Sequence, residues 1–393
     1  MGILDRLSRR SLKATTDFIT FADTMPWANM SKSGVSVDND TAVGLPAVYR
    51  CQSINSDIVS TLPIATYSKK NGARAHYEPP AWADKPNDDM DFSEFLGQMQ
   101  TSLEQDGNAF ALKGTTRAGA LAALYPLDPR VVRVERENER VVYYVQQSTG
   151  AEAGPLMPNE VLHIRGFTIP GQLRGVSPIL AMKEVIGLGL ATQQYGAQFF
   201  GQGATVSGVI EHPGSMPDTK TVERLQEMMQ RKHGGLSKSH ALAILSGGAK
   251  WVPMSVNPEE AQFLETRKFN AVEIACAYGV PPWFVTEAEG AKGYVSGLYA
   301  TMYMWLLTGI NPRLRRLERA LSVLLPDKKA YFKFNRNAFM AMDPGERAEF
   351  YSKGLMGRYM TPNEIREKED MDPMEFGDAP LWSVQWRSNP YTK

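Results

Sequence analysis

The side chains that could do chemistry in this sequence are few and scattered. Five histidines stand at 76, 163, 212, 233 and 240. None forms a His-Glu-x-x-His helix motif or pairs with cysteine at zinc-ligand spacing. His163, inside VLHIR, has the setting of a packed strand residue rather than a general base. Asp88, Asp89 and Asp91 could attract a divalent cation, but no partner motif accompanies them and the run reads as a solvated turn ahead of a helix. GQGATVSG at 201–208 lacks the G-x-G-x-x-G spacing, and no G-x-x-x-x-G-K-[ST] loop is present to cradle phosphates. GVSPI at 175–179 lacks the second glycine of a nucleophile elbow. The sequence offers no catalytic residues, metal ligands or cofactor motif.

The bulk properties narrow the class further. With 393 residues, 43% hydrophobic and 22% charged, the composition is that of an ordinary soluble chain. Lys+Arg and Asp+Glu are equal at 43 each, which argues against a domain that grips a nucleic-acid duplex tightly. Cys51 and Cys276 give neither a disulfide framework nor a zinc spacing and fit a reducing compartment. MGILDRLSRRSLK has no apolar core of a secretory signal. Residues 293–312, GYVSGLYATMYMWLLTGINP, carry no charge and approach the length of a bilayer span, with RLRRLER as a basic flank. Ser296, Gly297, Thr301 and Thr308 dilute the run, and Gly309 with Pro312 disrupts its end. The expectation is a helix packed on most sides rather than a membrane anchor.

The elements that must position these residues are mixed α+β. Residues 1–40 read as a polar, irregular, flexible arm. Val48, Cys51, Ile54 and Ile58 recur at helical spacing before LPIATY alternates as a strand. Residues 92–113 predict a helix and the strand GNAFALKG. ALYPLDPRVVRVERENERVVYYVQQ predicts two strands joined at Glu137–Glu139, and NEVLHIRGF one more. Ser177 and Pro178 then cap a helix of some 25 residues, roughly 38 Å long, with apolar residues nearly all round. Gly187, Gly189 and Gly196 within it suggest close packing against a neighbouring helix, with a flexible or bent helix as the alternative. A compact α/β unit at about 205–256 follows. A second rod opens at Asn257–Pro258 with Phe269, Val272 and Cys276 on one face and ends at Gly279 and Pro281–Pro282. RLRRLERALSVLLP continues a helix to Pro326, and KAYFKFN is a strand. DPGE at 343–346 and TPNE at 361–364 are capping-box signatures.

These landmarks, in order, resemble the portal (head-to-tail connector) proteins of tailed bacteriophages, in particular the short lambdoid-type family. KPND at 85–88, DGNAF at 106–110, LYPLDP at 124–129, VLHIRGF at 161–167 and GVSPI carry the resemblance. AQFLETRKFNAVEIACAYGVPP at 261–282 and NEIREKEDMDP at 363–373 complete it, and it covers roughly residues 41–377.

The resemblance implies a non-enzymatic, dodecameric ring at one capsid vertex, without cofactor or metal. It divides the chain into an arm (1–40), an α/β wing (41–176 and 298–340), two stem helices (177–204 and 257–285), a small α/β clip (205–256), a channel-facing tunnel loop (286–297) and a helical crown with the tail (341–393). Double-stranded DNA would pass through the ring in weak, non-specific contact. Lys292 would offer a phosphate contact, offset by Glu287 and Glu289, with Gly290, Gly293 and Tyr294 completing the loop. Tyr294-Val295-Ser296-Gly297 departs from the Tyr-Ser-Asn common in the family. Arg231, Lys232, Lys238 and Lys250 of the clip would meet the terminase large subunit and the head-tail adaptor. Major capsid and scaffolding proteins are further implied partners, and the location is the virion after assembly in the host cytoplasm. The competing readings are a nuclease, which needs a carboxylate or metal cluster, and a membrane pore, which rests on residues 293–312 alone.

Overall fold

A computed structural model of the chain describes residues 29–70, 73–201, 208–211, 250–253, 259–286, 298–336, 344–369 and 371–379. They fall into two compact units that divide after Phe334.

Residues 29–40, expected at the end of a flexible arm, are tied down. Val37 N–H donates to the Asn29 carbonyl at 2.8 Å and Ser31 N–H to that of Val35 at 2.9 Å. Asp38 and Thr41 then form a reciprocal capping box at the start of α1 (Asn39–Val43), which satisfies donors that a helix start leaves open. The apolar spacing at 48, 51 and 54 becomes the buried face of α2 (Pro46–Thr61), and the chain turns at Leu62 into β1 (Ile64–Lys70) and β2 (Ala73–His76). Asp91 explains the acidic run: its Oδ1 accepts from Glu94 N–H at 2.8 Å and caps α3 (Phe92–Gln105), which packs on α2.

Two three-stranded antiparallel sheets follow. One orders as β4–β3–β8, from β3 (Asn108–Thr115), β4 (Leu121–Leu127) and β8 (Val161–Arg165). The other orders as β5–β6–β7, from β5 (Val132–Glu137), β6 (Arg140–Gln146) and β7 (Glu152–Leu156). The two strands expected over 123–147 are three, because Asp128-Pro129 breaks the run into β4 and β5. Asn138 and Glu139, both at positive φ, make the tight β5–β6 turn. β7, EAGPL, has no alternating pattern, so periodicity misses it. Phe110, Leu112, Val132, Tyr143, Val145 and Val161 form a shared core.

The first rod begins as expected, with Ser177 Oγ accepting from Leu180 N–H at 3.3 Å. It breaks at Met182, so α4 (Pro178–Ala181) precedes α5 (Lys183–Gly201). It is not buried all round, since Leu180, Leu188 and Tyr195 are exposed. β9 (Gly208–Glu211) and β10 (Lys250–Pro253) pair antiparallel with Lys250 opposite Glu211. α6 (Glu259–Ala277) packs on α5 and α2. Gly189 lets it approach, because a side chain there would meet Asn270 and Leu45. Gly187 faces Ser31 and Ser33 rather than a helix. Asn270 Nδ2 donates to the Val185 carbonyl at 2.8 Å and fastens the pair. On the expected Phe269–Val272–Cys276 face of α6, Phe269 and Cys276 are exposed and Val272 is half-buried; among the described residues Asn270, Ile274 and Ala275, with Tyr278 just past the helix, are buried.

The uncharged run enters α7 (Leu298–Trp305), continues through a π-helical turn at Leu306–Ile310, and gives way to α8 (Asn311–Ser322). Among the described residues no helix is long and apolar enough to cross a membrane. β11 (Ala330–Phe334) returns to pair antiparallel with β1, Phe334 opposite Ile64.

In the second unit, α9 (Pro344–Met356) and α10 (Pro362–Lys368) are joined through Tyr351, whose hydroxyl donates to Glu369 Oε1 at 2.7 Å. Thr361 and Glu364 form the expected capping box, whereas Asp343 of DPGE lies outside the described residues.

Candidate functional site

Glu287, Glu289, Gly290, Lys292, Gly293 and Tyr294 lie outside the described residues, as do Arg231, Lys232 and Lys238; Lys250 stands in β10. The structure does describe both ends of the segment that holds the first group. The chain leaves α6 through Gly279, makes a short 3₁₀ turn at Pro282–Phe284, and is described as far as Thr286. It resumes at Leu298 in α7.

These two ends share one anchored base. The Phe284 and Trp305 rings lie 5.1 Å apart. Gly309, in the π turn, sits so close to Gly279 that a Cβ on it would fall 2.9 Å from the Gly279 carbonyl oxygen and 2.6 Å from Trp305 Cδ1. Arg313, one turn beyond, draws both strands of the base together. Its Nη2 donates to the Tyr278 carbonyl and its Nη1 to the Gly309 carbonyl, both at 2.8 Å. A π turn widens the helix by one residue and leaves carbonyls without regular partners, and the guanidinium supplies one.

Glu104 of α3 anchors the arginine. Arg313 Nε donates to Glu104 Oε1 at 2.6 Å and Nη2 to Oε2 at 3.2 Å, a bidentate pair whose side chains are 17% and 5% exposed. Asn55 Nδ2 at 3.4 Å and Gln100 Nε2 also donate to the carboxylate. Gln52 Nε2 donates to the Tyr278 hydroxyl at 3.0 Å. Burial, helped by Glu104, pushes the Cys51 thiol up to about 12, so it is inert at neutral pH. Burial likewise raises Tyr278. This polar cluster was missed from the sequence, although helical phase places Gln100 and Glu104 beside Leu96, Met99 and Leu103 on the buried side of α3.

A second polar cluster surrounds His163. Its ring stacks on Phe110 at 4.3 Å, and Nε2 lies 3.1 Å from Asn108 Oδ1. Asn108 Nδ2 donates to Asp106 Oδ1 at 2.8 Å, as does Arg174 Nη2 at 2.6 Å. Burial, with Arg174 and Arg165 adding repulsion, pushes the imidazole down to about 3. It stays neutral at physiological pH, a packed strand residue as expected. Among the described residues, no group of three His, Cys, Asp or Glu side chains could hold a metal ion.

Among the described residues, these buried polar groups join one element of the fold to another, as they would in a structural scaffold. Comparison with known proteins agrees. The family model described as phage portal protein matches residues 46–370. The probable portal protein of Streptomyces phage phiC31 is 34% identical over 363 residues, covering 88% of this chain and 79% of its own. The portal protein of Enterobacteria phage HK97 is 26% identical, covering 89% and 84%. Among solved structures, a chain in the neck of an empty gene transfer agent (GTA) particle aligns with a TM-score of 0.59 at 20% identity, covering 84% and 92%. An HK97-family phage portal protein from Corynebacterium diphtheriae aligns at 0.55 and 16%, covering 77% and 96%. The chain belongs to the phage portal protein family, structural connectors of the virion.

Proposed function

We propose that the protein assembles into a closed twelve-fold ring at one vertex of the capsid and forms the channel through which double-stranded DNA is packaged and later ejected. The observation that carries this reading is the family match across residues 46–370. The packed rods α5 and α6, with β9 and β10 beyond their ends, suit the stem and clip of such a ring. A ring is a heterologous assembly that closes, so each subunit needs two different apolar faces. Phe269 on α6 and Tyr303, Met304 and Leu307 around α7 are exposed candidates for them.

The segment 286–297 serves as the tunnel loop, held at its base by Arg313. Lys292 gives weak phosphate contact that twelve copies repeat, and a zero formal net charge suits a conduit that must not hold DNA tightly. ATP hydrolysis belongs to the terminase large subunit, which docks on the clip through Arg231, Lys232, Lys238 and Lys250 before the head-tail adaptor takes its place. Major capsid and scaffolding proteins surround the ring during assembly in the host cytoplasm.

Light scattering with negative-stain imaging tests the proposal. Twelve copies of a 43.6 kDa chain give particles of about 500 kDa with an axial hole. Eleven- or thirteen-fold rings also support it, whereas a strict monomer that cleaves DNA with a metal ion would refute it.

A further inference from the structure

The sheet formed by β2, β1 and β11 has one buried and one open face. Thr66 and Ser68 of β1 and Ala330, Phe332 and Phe334 of β11 point inward and are buried. The alternation of a strand then sends Tyr67 and Lys69 of β1, Arg74 of β2, and Tyr331 and Lys333 of β11 outward. The helix α8 extends this face beyond β11. Its Glu318 Oε1 accepts from Phe334 N–H at 2.9 Å and its Ser322 Oγ from Phe332 N–H at 3.0 Å, so that line of the helix meets the strand edge. Leu314, Leu317 and Leu321 are fully buried. Turning away from them past Glu318 and Ser322, the helix next presents Arg315 and Arg319. Lys333 Nζ lies 3.9 Å from Glu318 Oε1, which sets the outward side of β11 beside them.

The charge on this face is one-sided. Lys69, Arg74, Arg315 and Arg319 are exposed, as are Lys328 and Lys329 in the turn between α8 and β11. Among the described residues none of the six has an ion-pair partner, whereas Arg130, Arg133, Arg174 and Arg313 each hold a carboxylate. β1, β2 and β11 contain no acid. Glu318 is 7% exposed and turned to the strand edge, and Asp327 accepts from Ser68 Oγ and Lys329 N–H. Two placements work against the free protein. Lys69 stands directly opposite Arg74 across the strands, and Arg315 and Arg319 are one helical turn apart; like charges so placed repel. A chain with zero formal net charge thus concentrates unpaired cations where they cost stability, which fits a surface that meets a polyanion.

The chemistry of the face selects among polyanions. A protein interface needs an apolar, charge-poor centre. Here the outward aromatic rings are occupied: the Arg74 guanidinium lies 3.4 Å over the Tyr67 ring, and Tyr67 packs on Tyr331. That stacking holds one cation in place. Two strand spacings and a helix make the face about 20 Å across, and a duplex carries one phosphate per about 1.7 Å of its axis, enough for all six cations.

We propose that the outward face of the β2–β1–β11 sheet, continued by α8, binds the phosphate backbone of double-stranded DNA without regard to sequence. It uses none of the loop or clip residues, and it holds whether or not the ring reading is correct.

Fluorescence anisotropy of a short mixed-sequence duplex with the full chain tests this. Lys69→Gln, Arg74→Gln, Arg315→Gln and Arg319→Gln, combined, should weaken binding at low salt at least tenfold. The slope of log affinity against log salt should become shallower by about three to four, at about 0.9 per phosphate contact. Lys328→Gln with Lys329→Gln, in an exposed turn, should reduce the slope by about two without touching packed side chains. A control set, Lys85→Gln, Arg117→Gln, Arg136→Gln and Arg140→Gln, removes the same charge from exposed positions outside the face and should leave the slope nearly unchanged. Unaltered affinity and slope in both face variants would overturn the proposal, as would an equal loss in the control set, which would reduce the effect to net charge. Loss of binding to poly-glutamate with duplex binding retained would also overturn it and assign the face to an acidic protein.

Discussion

Arg313 and Glu104, 209 positions apart, form a bidentate ion pair at 2.6 Å and 3.2 Å beneath the base of the segment that joins α6 to α7. The same guanidinium binds the Tyr278 and Gly309 carbonyls, one on each side of that base. A single side chain therefore fixes the spacing at which the segment leaves and re-enters the fold. Burying a charge pair is not in itself strongly stabilising, but removing one partner leaves the other desolvated and alone.

Arg313→Met should accordingly cost about 3–5 kcal/mol, read as a lower urea midpoint without a changed slope. Arg313→Lys should also destabilise, because an ammonium cannot bridge both carboxylate oxygens and two carbonyls. Adding Glu104→Leu to Arg313→Met should recover only part of the loss. It removes the stranded carboxylate but leaves the two carbonyls, Gln100 and Asn55 short of partners. A lysine variant as stable as the native protein would show that the fork geometry is immaterial.

Gly309→Ala probes the same base by packing. Its Cβ would press on Trp305 Cδ1 and the Gly279 carbonyl oxygen at 2.6 Å and 2.9 Å, closer than real side chains approach. The expected cost is about 1–3 kcal/mol, with the two strands of the base forced apart. Thermal unfolding measures the first effect. Hydrogen exchange at residues 278–286 measures the second, and no change in either would mean the π turn yields freely.

His163 makes stability pH-dependent in a definite direction. The folded imidazole titrates at about 3, against an ordinary value of 6.5. Below pH 6.5 the unfolded chain takes up a proton that the folded chain refuses. The contribution is thus complete above pH 6.5 and is lost as pH falls toward 3, at up to about 1.4 kcal/mol per pH unit. His163→Gln keeps hydrogen-bonding capacity without titrating. Its stability deficit relative to the native protein should shrink between pH 7 and pH 5, and a constant deficit would place the acid sensitivity elsewhere.

Much of this architecture was legible where local rules suffice. Ser177, Asp91 and the Thr361–Glu364 pair announced helix starts, and the spacing of Val48, Cys51 and Ile54 announced the buried face of α2. Three features were not legible, each for a physical reason. The break at Met182 has no proline or glycine to mark it. Phe269 and Cys276 of α6, both exposed, look like core positions until tertiary packing chooses Ile274 and Ala275 instead. Arg313 sits in RLRRLER, where only its partner 209 residues away distinguishes it from its exposed neighbour Arg315. Lys292 and the other loop and clip residues carry short polar signals without periodicity. They gained meaning through the family resemblance rather than from local rules.

The proposed role of Lys292 can be separated from ring assembly. In the sequence Lys292 falls between Gly290 and Gly293, and on the channel reading Lys292→Ala should leave unfolding and particle mass unchanged. If its ammonium meets DNA phosphates, the variant should bind DNA more weakly at low salt. The slope of log affinity against log salt should also become shallower, by about one for each phosphate that is no longer neutralised. Packaging yield and DNA retention should fall with it. Glu289→Gln works in the opposite sense, because removing a carboxylate from the same loop leaves the lysine less offset and should steepen the salt dependence. Normal packaging and an unchanged slope in Lys292→Ala would remove this residue from the channel, leaving the ring reading itself intact.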